Sequence, residues 1–203
     1  MKRLAKTIKG YTFDELEDSS SRNEAKSNVL EIENLPKYFS EDLMYMLFED
    51  YDLHHLRTFY SLSFCQGDGL CLYGKITFSE LFNNSKFKKI AFKGIHHKHI
   101  KSVYDVLQGI KFVHKGRYVH MYTVSIESQE HNPTDRQMKI IDKVLDNVKA
   151  WYLSFCTKWE KSGYEYFYEI SDEDMQYICS ENNYLFTEEG NLIDQDEYLE
   201  LSA

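Results

Sequence analysis

An α+β fold, with an antiparallel sheet of about four strands packed against helices, is what three features of this 203-residue chain predict. Alternating runs from Thr58 to Phe64 and from Leu70 to Phe78 flank the loop Cys65-Gln66-Gly67-Asp68-Gly69, which reads as a β-hairpin with positive φ at Gly67 or Gly69. A second hairpin is expected around Lys115-Gly116, with Ile110 to His114 pairing with an alternating strand from Arg117 to Glu127. After His131-Asn132-Pro133, the segment Thr134-Asp135-Arg136-Gln137 fits a capping box. Met138, Ile141, Val144, Leu145, Val148, Trp151, Tyr152 and Phe155 then form an apolar stripe of helical period that should lie across the sheet.

The remaining elements follow from local signals. Residues 3 to 8 suit a short edge strand, and Thr12 with Glu15 has the form of a capping box for a helical region near Asp14. Ser19-Ser20-Ser21 is expected to interrupt that region. Ala25, Val29, Leu30, Ile32 and Leu35 then recur until Pro36 stops the pattern. Ser40 is the expected N-cap of the next helix, with Leu43, Met44, Leu47 and Phe48 as its core stripe. Ser171 followed by Asp172, Glu173 and Asp174 caps a helix through Asn182. Tyr184 to Phe186 and Leu192-Ile193 then flank a last small hairpin over Thr187 to Asn191.

Two prolines and nine glycines argue against a linker-rich chain, so residues 1–203 read as one domain, with 164–203 as an acidic C-terminal appendage. No stretch is apolar enough to span a membrane, and Met1-Lys2-Arg3-Leu4-Ala5-Lys6 leads into polar sequence, which places the chain in the host-cell cytoplasm. The cysteines, Cys65, Cys71, Cys156 and Cys179, lack any Cys-x-x-Cys pair, against a zinc knuckle or a thioredoxin-type site, and are expected as thiols. The net charge of -9 is uneven. From Lys75 to His120 ten Lys or Arg stand against Glu80 and Asp105, whereas from Glu160 to Ala203 thirteen Asp or Glu stand against Lys161.

Three segments, Tyr11-Thr12-Phe13-Asp14-Glu15-Leu16, Tyr60-Ser61-Leu62-Ser63-Phe64-Cys65-Gln66-Gly67-Asp68-Gly69 and Asn183-Tyr184-Leu185-Phe186-Thr187-Glu188-Glu189-Gly190, occur in this order. With them the chain resembles a family of bacteriophage and prophage proteins, sometimes labelled antitoxin-like. The resemblance implies a phage or mobile-element context and brings no catalytic residues. The Ser-rich, acidic stretch after Leu16 departs from it.

Several chemistries are weighed on the residues. Asp68 has the chemistry of a general base or metal ligand, with Gln66 as an oxyanion donor and His120 arriving from a neighbouring strand, the basis of a small hydrolase or nuclease reading. A turn in which Asp68 bonds the backbone is the simpler account. Gly67-Asp68-Gly69 lacks the strand-to-helix context of a phosphate loop. His96-His97-x-His99 is lysine-flanked and reads as a basic loop in preference to a metal site, while His114 and His120 are expected to face each other across the second hairpin. Lys86, Lys88, Lys89, Lys93, Lys98 and Lys101 interleave with Phe87 and Phe92, a composition able to contact nucleic acid.

The acidic end mixes Glu165, Glu169, Asp172, Glu173 and Asp174 with Tyr164, Tyr166 and Tyr168, which suits an interface with a basic protein. The sequence reading is therefore a non-enzymatic inhibitor of a host defence factor, anti-CRISPR-like or another anti-defence protein. It would bind a host protein, such as a nucleic-acid-binding defence enzyme, through Gln66, Asp68, Glu165, Tyr166, Glu169, Asp172, Glu173 and Asp174. The alternatives are an antitoxin-like neutraliser of a toxin and the hydrolase or nuclease above. No cofactor or catalytic residue is assigned, nucleic acid is the less favoured partner, and the tyrosines also suit a symmetric dimer.

Overall fold

The structure, a computed structural model, describes residues 9–33 and 35–193, so the strand expected over residues 3 to 8 lies outside it. The fold is α+β, and the chain divides into two compact units, Phe39–Tyr164 and Met1–Tyr38 with Glu165–Ala203. The acidic stretch expected as an appendage thus shares its unit with the N-terminal segment.

In the larger unit, strands β1 (Leu56–Ser61), β2 (Gly69–Thr77), β3 (Leu107–His114) and β4 (Val124–Glu130) form an antiparallel sheet in the order β1-β2-β3-β4, each strand pairing with the next in sequence. Helix α2 (Leu35–Tyr51), which enters this unit at Phe39, precedes the sheet, and α3 (Phe78–Phe82), α4 (Ser85–Ala91) and α5 (His97–Val103) lie in the connection from β2 to β3. Helix α6 (Asp135–Tyr168) is 34 residues long and starts at the expected capping box. Thr134 N–H donates to Gln137 Oε1 at 2.9 Å, and Gln137 N–H donates back to Thr134 Oγ1 at 3.4 Å. Its Tyr152 ring packs on Phe112 of β3 at 5.6 Å, and its hydroxyl donates to the Met121 carbonyl at 3.0 Å. Leu43, Leu47, Leu56, Leu72, Ile76, Ile110, Ile141, Val144 and Val148 are fully buried, each stabilising the fold by about 1.5–3 kcal/mol relative to exposure.

Three sequence expectations in this unit are corrected. Helix α2 begins at Leu35, placing Pro36 in its first turn, where no intrahelical N–H is needed, and Ser40 inside the helix instead of at its cap. The first hairpin strand ends at Ser61 and not at Phe64. The strand expected over Arg117 to Glu127 starts only at Val124. Residues 115–123 form a longer loop ending in a 3-10 turn, Met121–Thr123. There the His120 ring accepts from Tyr122 N–H at 3.2 Å and Thr123 Oγ1 donates to the His120 carbonyl at 2.7 Å. These local side-chain bonds outweigh the alternating pattern.

In the smaller unit, Phe13–Glu15 is a 3-10 turn instead of an α-helix, although the expected return bond is present, from Thr12 N–H to Glu15 Oε2 at 2.9 Å. Ser19-Ser20-Ser21 opens helix α1 (Ser19–Ile32) instead of interrupting one, because Asp18 caps it by accepting from Ser21 N–H. Helix α7 (Asp172–Asn182) is capped by Ser171 as expected and ends at Asn183 in the left-handed region. The last small hairpin reduces to isolated bridges in which Phe186 pairs with both Tyr11 and Leu192. Phe13, Leu16, Ala25, Val29, Met175, Cys179 and Phe186 make this unit's own core.

Candidate functional site

The hairpin tip is built from Leu62 to Asp68, between β1 and β2. The Asp68 carboxylate closes it by accepting four hydrogen bonds, one from the last residue of β1 and three from its own loop. Ser61 Oγ donates to Oδ1 at 2.7 Å; Ser63 N–H, Ser63 Oγ and Cys65 N–H donate to Oδ2 at 2.7, 3.0 and 2.7 Å. The Ser61 hydroxyl first, then the Cys65 N–H, hold the carboxyl down at about 2 against desolvation, and the Ser63 donors add smaller contributions. A carboxylate so depressed is a weak base at neutral pH, so its chemistry here is that of a fastener. Gln66 stands exposed beside it.

The loop holds Phe64 at φ +56°, a conformation that bulky side chains rarely adopt, and leaves the ring 71% exposed, tilted against Tyr164 at 4.6 Å. Gly67, at φ +90°, lies beneath the Tyr118 ring, into which any Cβ at that position would run. Gly69 lies against His120, the Val119 carbonyl and Glu160, whose Oε2 is a buried atom with no hydrogen-bond partner among the described residues. His120 stacks on Tyr122, itself 77% exposed. The result is an aromatic end to the larger unit, presenting Phe64, Tyr118 and Tyr122.

The expected encounter of His114 with His120 is replaced by separate partners: His114 Nε2 meets the Tyr118 carbonyl at 2.9 Å, and His120 caps the 3-10 turn. All four cysteines are free thiols. Cys71 and Cys179 are both pushed up to about 11 by burial, whereas Cys65 is exposed. Among the described residues no three His, Cys, Asp or Glu side chains group so as to hold a metal ion.

A family profile, that of a domain of unknown function, DUF8835, matches residues 42–172, more than half of the chain. The chain belongs to the DUF8835 family. No curated protein and no solved structure matches it. The DUF8835 stretch contains the whole sheet, the aromatic end and helix α6, and it stops at the first residue of α7.

Within the DUF8835 stretch two lysines of the basic patch serve the fold. Lys86 Nζ donates to the Glu49 carbonyl and Lys88 Nζ to the Phe82 carbonyl at 2.8 Å, each bonding a carbonyl at or near the end of a helix. Phe87 and Phe92, which the sequence offered as stacking surfaces, are buried in the core, while Lys86, Lys89, Lys93, Lys98 and Lys101 are exposed. The acidic set falls mainly in the smaller unit. There Asp172 pairs with Arg22 at 3.0 Å and Lys26 at 2.6 Å, and these cations hold its carboxyl below the usual range. Asp174 exchanges hydrogen bonds with Ser171 at the α7 cap, while Glu173 and Glu169 are exposed. Glu165 is exposed, and Tyr166 packs edge-on against Phe167 at 5.3 Å.

Sequence reasoning missed the open face of the sheet. The register sets Arg57 opposite Tyr73, Lys75 opposite Lys111 and Lys111 opposite Glu127, all pointing the same way by strand alternation. A shallow groove of about 410 Å³ is lined by His55, Arg57, Gly74, Lys75, Lys111 and Val113. Phe59 and Tyr73, 46% and 41% exposed, belong to the same face. The signal was present in the alternation of the two hairpins, but it appears only once β2 and β3 are laid in register.

Proposed function

We propose that this DUF8835 protein works by binding a protein partner through the aromatic end of its larger unit. The observation that supports this reading is Phe64. A bulky apolar ring held at positive φ costs of order 1–3 kcal/mol, and this one is kept there by a closed loop while remaining exposed. Tyr118 and Tyr122 beside the loop supply further rigid aromatic area of the kind that anchors protein interfaces. In the phage or prophage setting that the Tyr60 to Gly69 resemblance implies, such a surface serves an inhibitor that blocks a host defence factor. An antitoxin-like neutraliser would use it in the same way.

Phe64→Gly tests the reading because glycine adopts the same backbone without strain. The expected result is a fold at least as stable as wild type by chemical denaturation, together with loss of the host protein that wild-type bait retains. Equal retention by both baits, or no host protein specific to wild type, would sink the proposal.

A further inference from the structure

We propose that the open face of the β1-β2-β3-β4 sheet binds single-stranded nucleic acid, an activity beyond the protein-binding role of the aromatic end. Three features of that face point to it. Lys75 and Lys111 are directly opposed on neighbouring strands, an arrangement that is destabilising unless an anion lies across it. Lys75 has no ion-pair partner among the described residues, and Lys111 shares Glu127 with Lys115, which holds that carboxylate at 3.1 Å.

Arg57, the third cation of the groove, is fixed in place without being neutralised. Its guanidinium donates to the carbonyls of His54 and Leu56, both at 2.9 Å, and no carboxylate lines the groove. Phosphate oxygens complement such a fork and two ammonium groups.

The exposed aromatics separate nucleic acid from other polyanions. Tyr73 lies opposite Arg57, and Phe59, opposite Cys71, is its diagonal neighbour on β1. Rings standing on adjacent strands of an open sheet offer stacking platforms to successive unpaired bases, and the cations beside them are placed for the backbone. An acidic protein segment would use the cations and leave the rings without a role. A duplex hides its base faces and would do the same.

Fluorescence anisotropy of labelled oligo(dT) and oligo(U) of about 12 nucleotides, titrated with the full-length protein, tests this. Expected is micromolar binding that weakens steeply as salt rises from about 50 to 200 mM, and weaker binding of a duplex of equal length. Lys75→Glu should weaken binding about tenfold and flatten the salt dependence. Because it places an opposite charge across from Lys111, its melting temperature should hold or rise, so that the loss is not one of folding. The double variant of Phe59→Ala with Tyr73→Ala should weaken binding about tenfold with the salt dependence unchanged. No binding by wild type at low salt would overturn the proposal. So would equal displacement by poly-glutamate, which would assign the face to an acidic protein, or a larger loss from Lys89→Glu than from Lys75→Glu.

Discussion

Asp68 shows how far one carboxylate can organise a surface. Its four hydrogen bonds come from Ser61 at the end of β1 and from Ser63 and Cys65 of its own loop, so the tip is held from within. The carboxyl is depressed from an ordinary value near 3.8 to about 2, so the contribution of its ionised form is complete above the unfolded value and is lost as pH falls from about 4 to about 2. Amide NMR should show Ser63 and Cys65 N–H resonances moving together through that window, and in Asp68→Asn the same resonances should be displaced already at pH 7. A titration of these amides centred near 4 would contradict the closed loop. The role of Asp68 as a backbone-bonding turn residue was legible from Gly67-Asp68-Gly69. The backbone of Phe64 was not, since nothing in Ser63-Phe64-Cys65 announces a positive φ; closure by Asp68 imposes it.

Helices and strands were legible where burial and periodicity agree, as in α6, whose capping box and buried stripe are both in place. They were misread where polar side chains redirect the backbone. Tyr118, His120 and Tyr122 alternate with apolar neighbours as a strand would, yet His120 and Thr123 bond the local main chain and turn the segment into a loop. Glu80 does the same work, and its signal, the capping-box spacing from Thr77 to Glu80, lay hidden at the end of what read as a strand. Buried at the start of α3, it accepts from Thr77 N–H, Thr77 Oγ1 and His54 N–H, each at 2.7 Å, and meets His55 Nδ1 at 3.0 Å. Burial alone would raise its carboxyl, but the donors of Thr77, His55 and His54 together hold it below the ordinary range. Stability linked to Glu80 is therefore present above the unfolded value and declines as pH falls below it. Glu80→Ala leaves these donors without an acceptor and should cost about 3 kcal/mol in urea denaturation; a loss under 1 kcal/mol would show that the latch is slack.

Across the whole molecule, the basic middle and acidic end of the sequence become a difference between units. The cations from Lys75 to Arg117 lie in Phe39–Tyr164, and the acidic stretch from Glu165 onward lies in the other unit. That division was half legible, since the charge change near residue 164 marks one boundary, but the return of the N-terminal segment to join the acidic end left no local trace. A fragment of residues 35–168, holding the complete sheet and its core, should unfold in one cooperative thermal transition with a strand signal by circular dichroism. A molten fragment would show that the sheet depends on the rest of the chain. The smaller unit has the opposite dependence. Its core joins Ala25 and Val29 of α1 to Met175 and Cys179 of α7, and Gly190 sits where any Cβ would strike the Ser21 carbonyl. On the ribosome, α1 emerges long before α7: roughly 140 residues, on the order of ten seconds of synthesis, separate the two. During that interval Ala25 and Val29 have no core to enter, while every strand of the sheet already has its sequence neighbour to pair with. The aromatic end and the open sheet face are thus formed first, and the N-terminal helix waits for the last part of the chain to bury it.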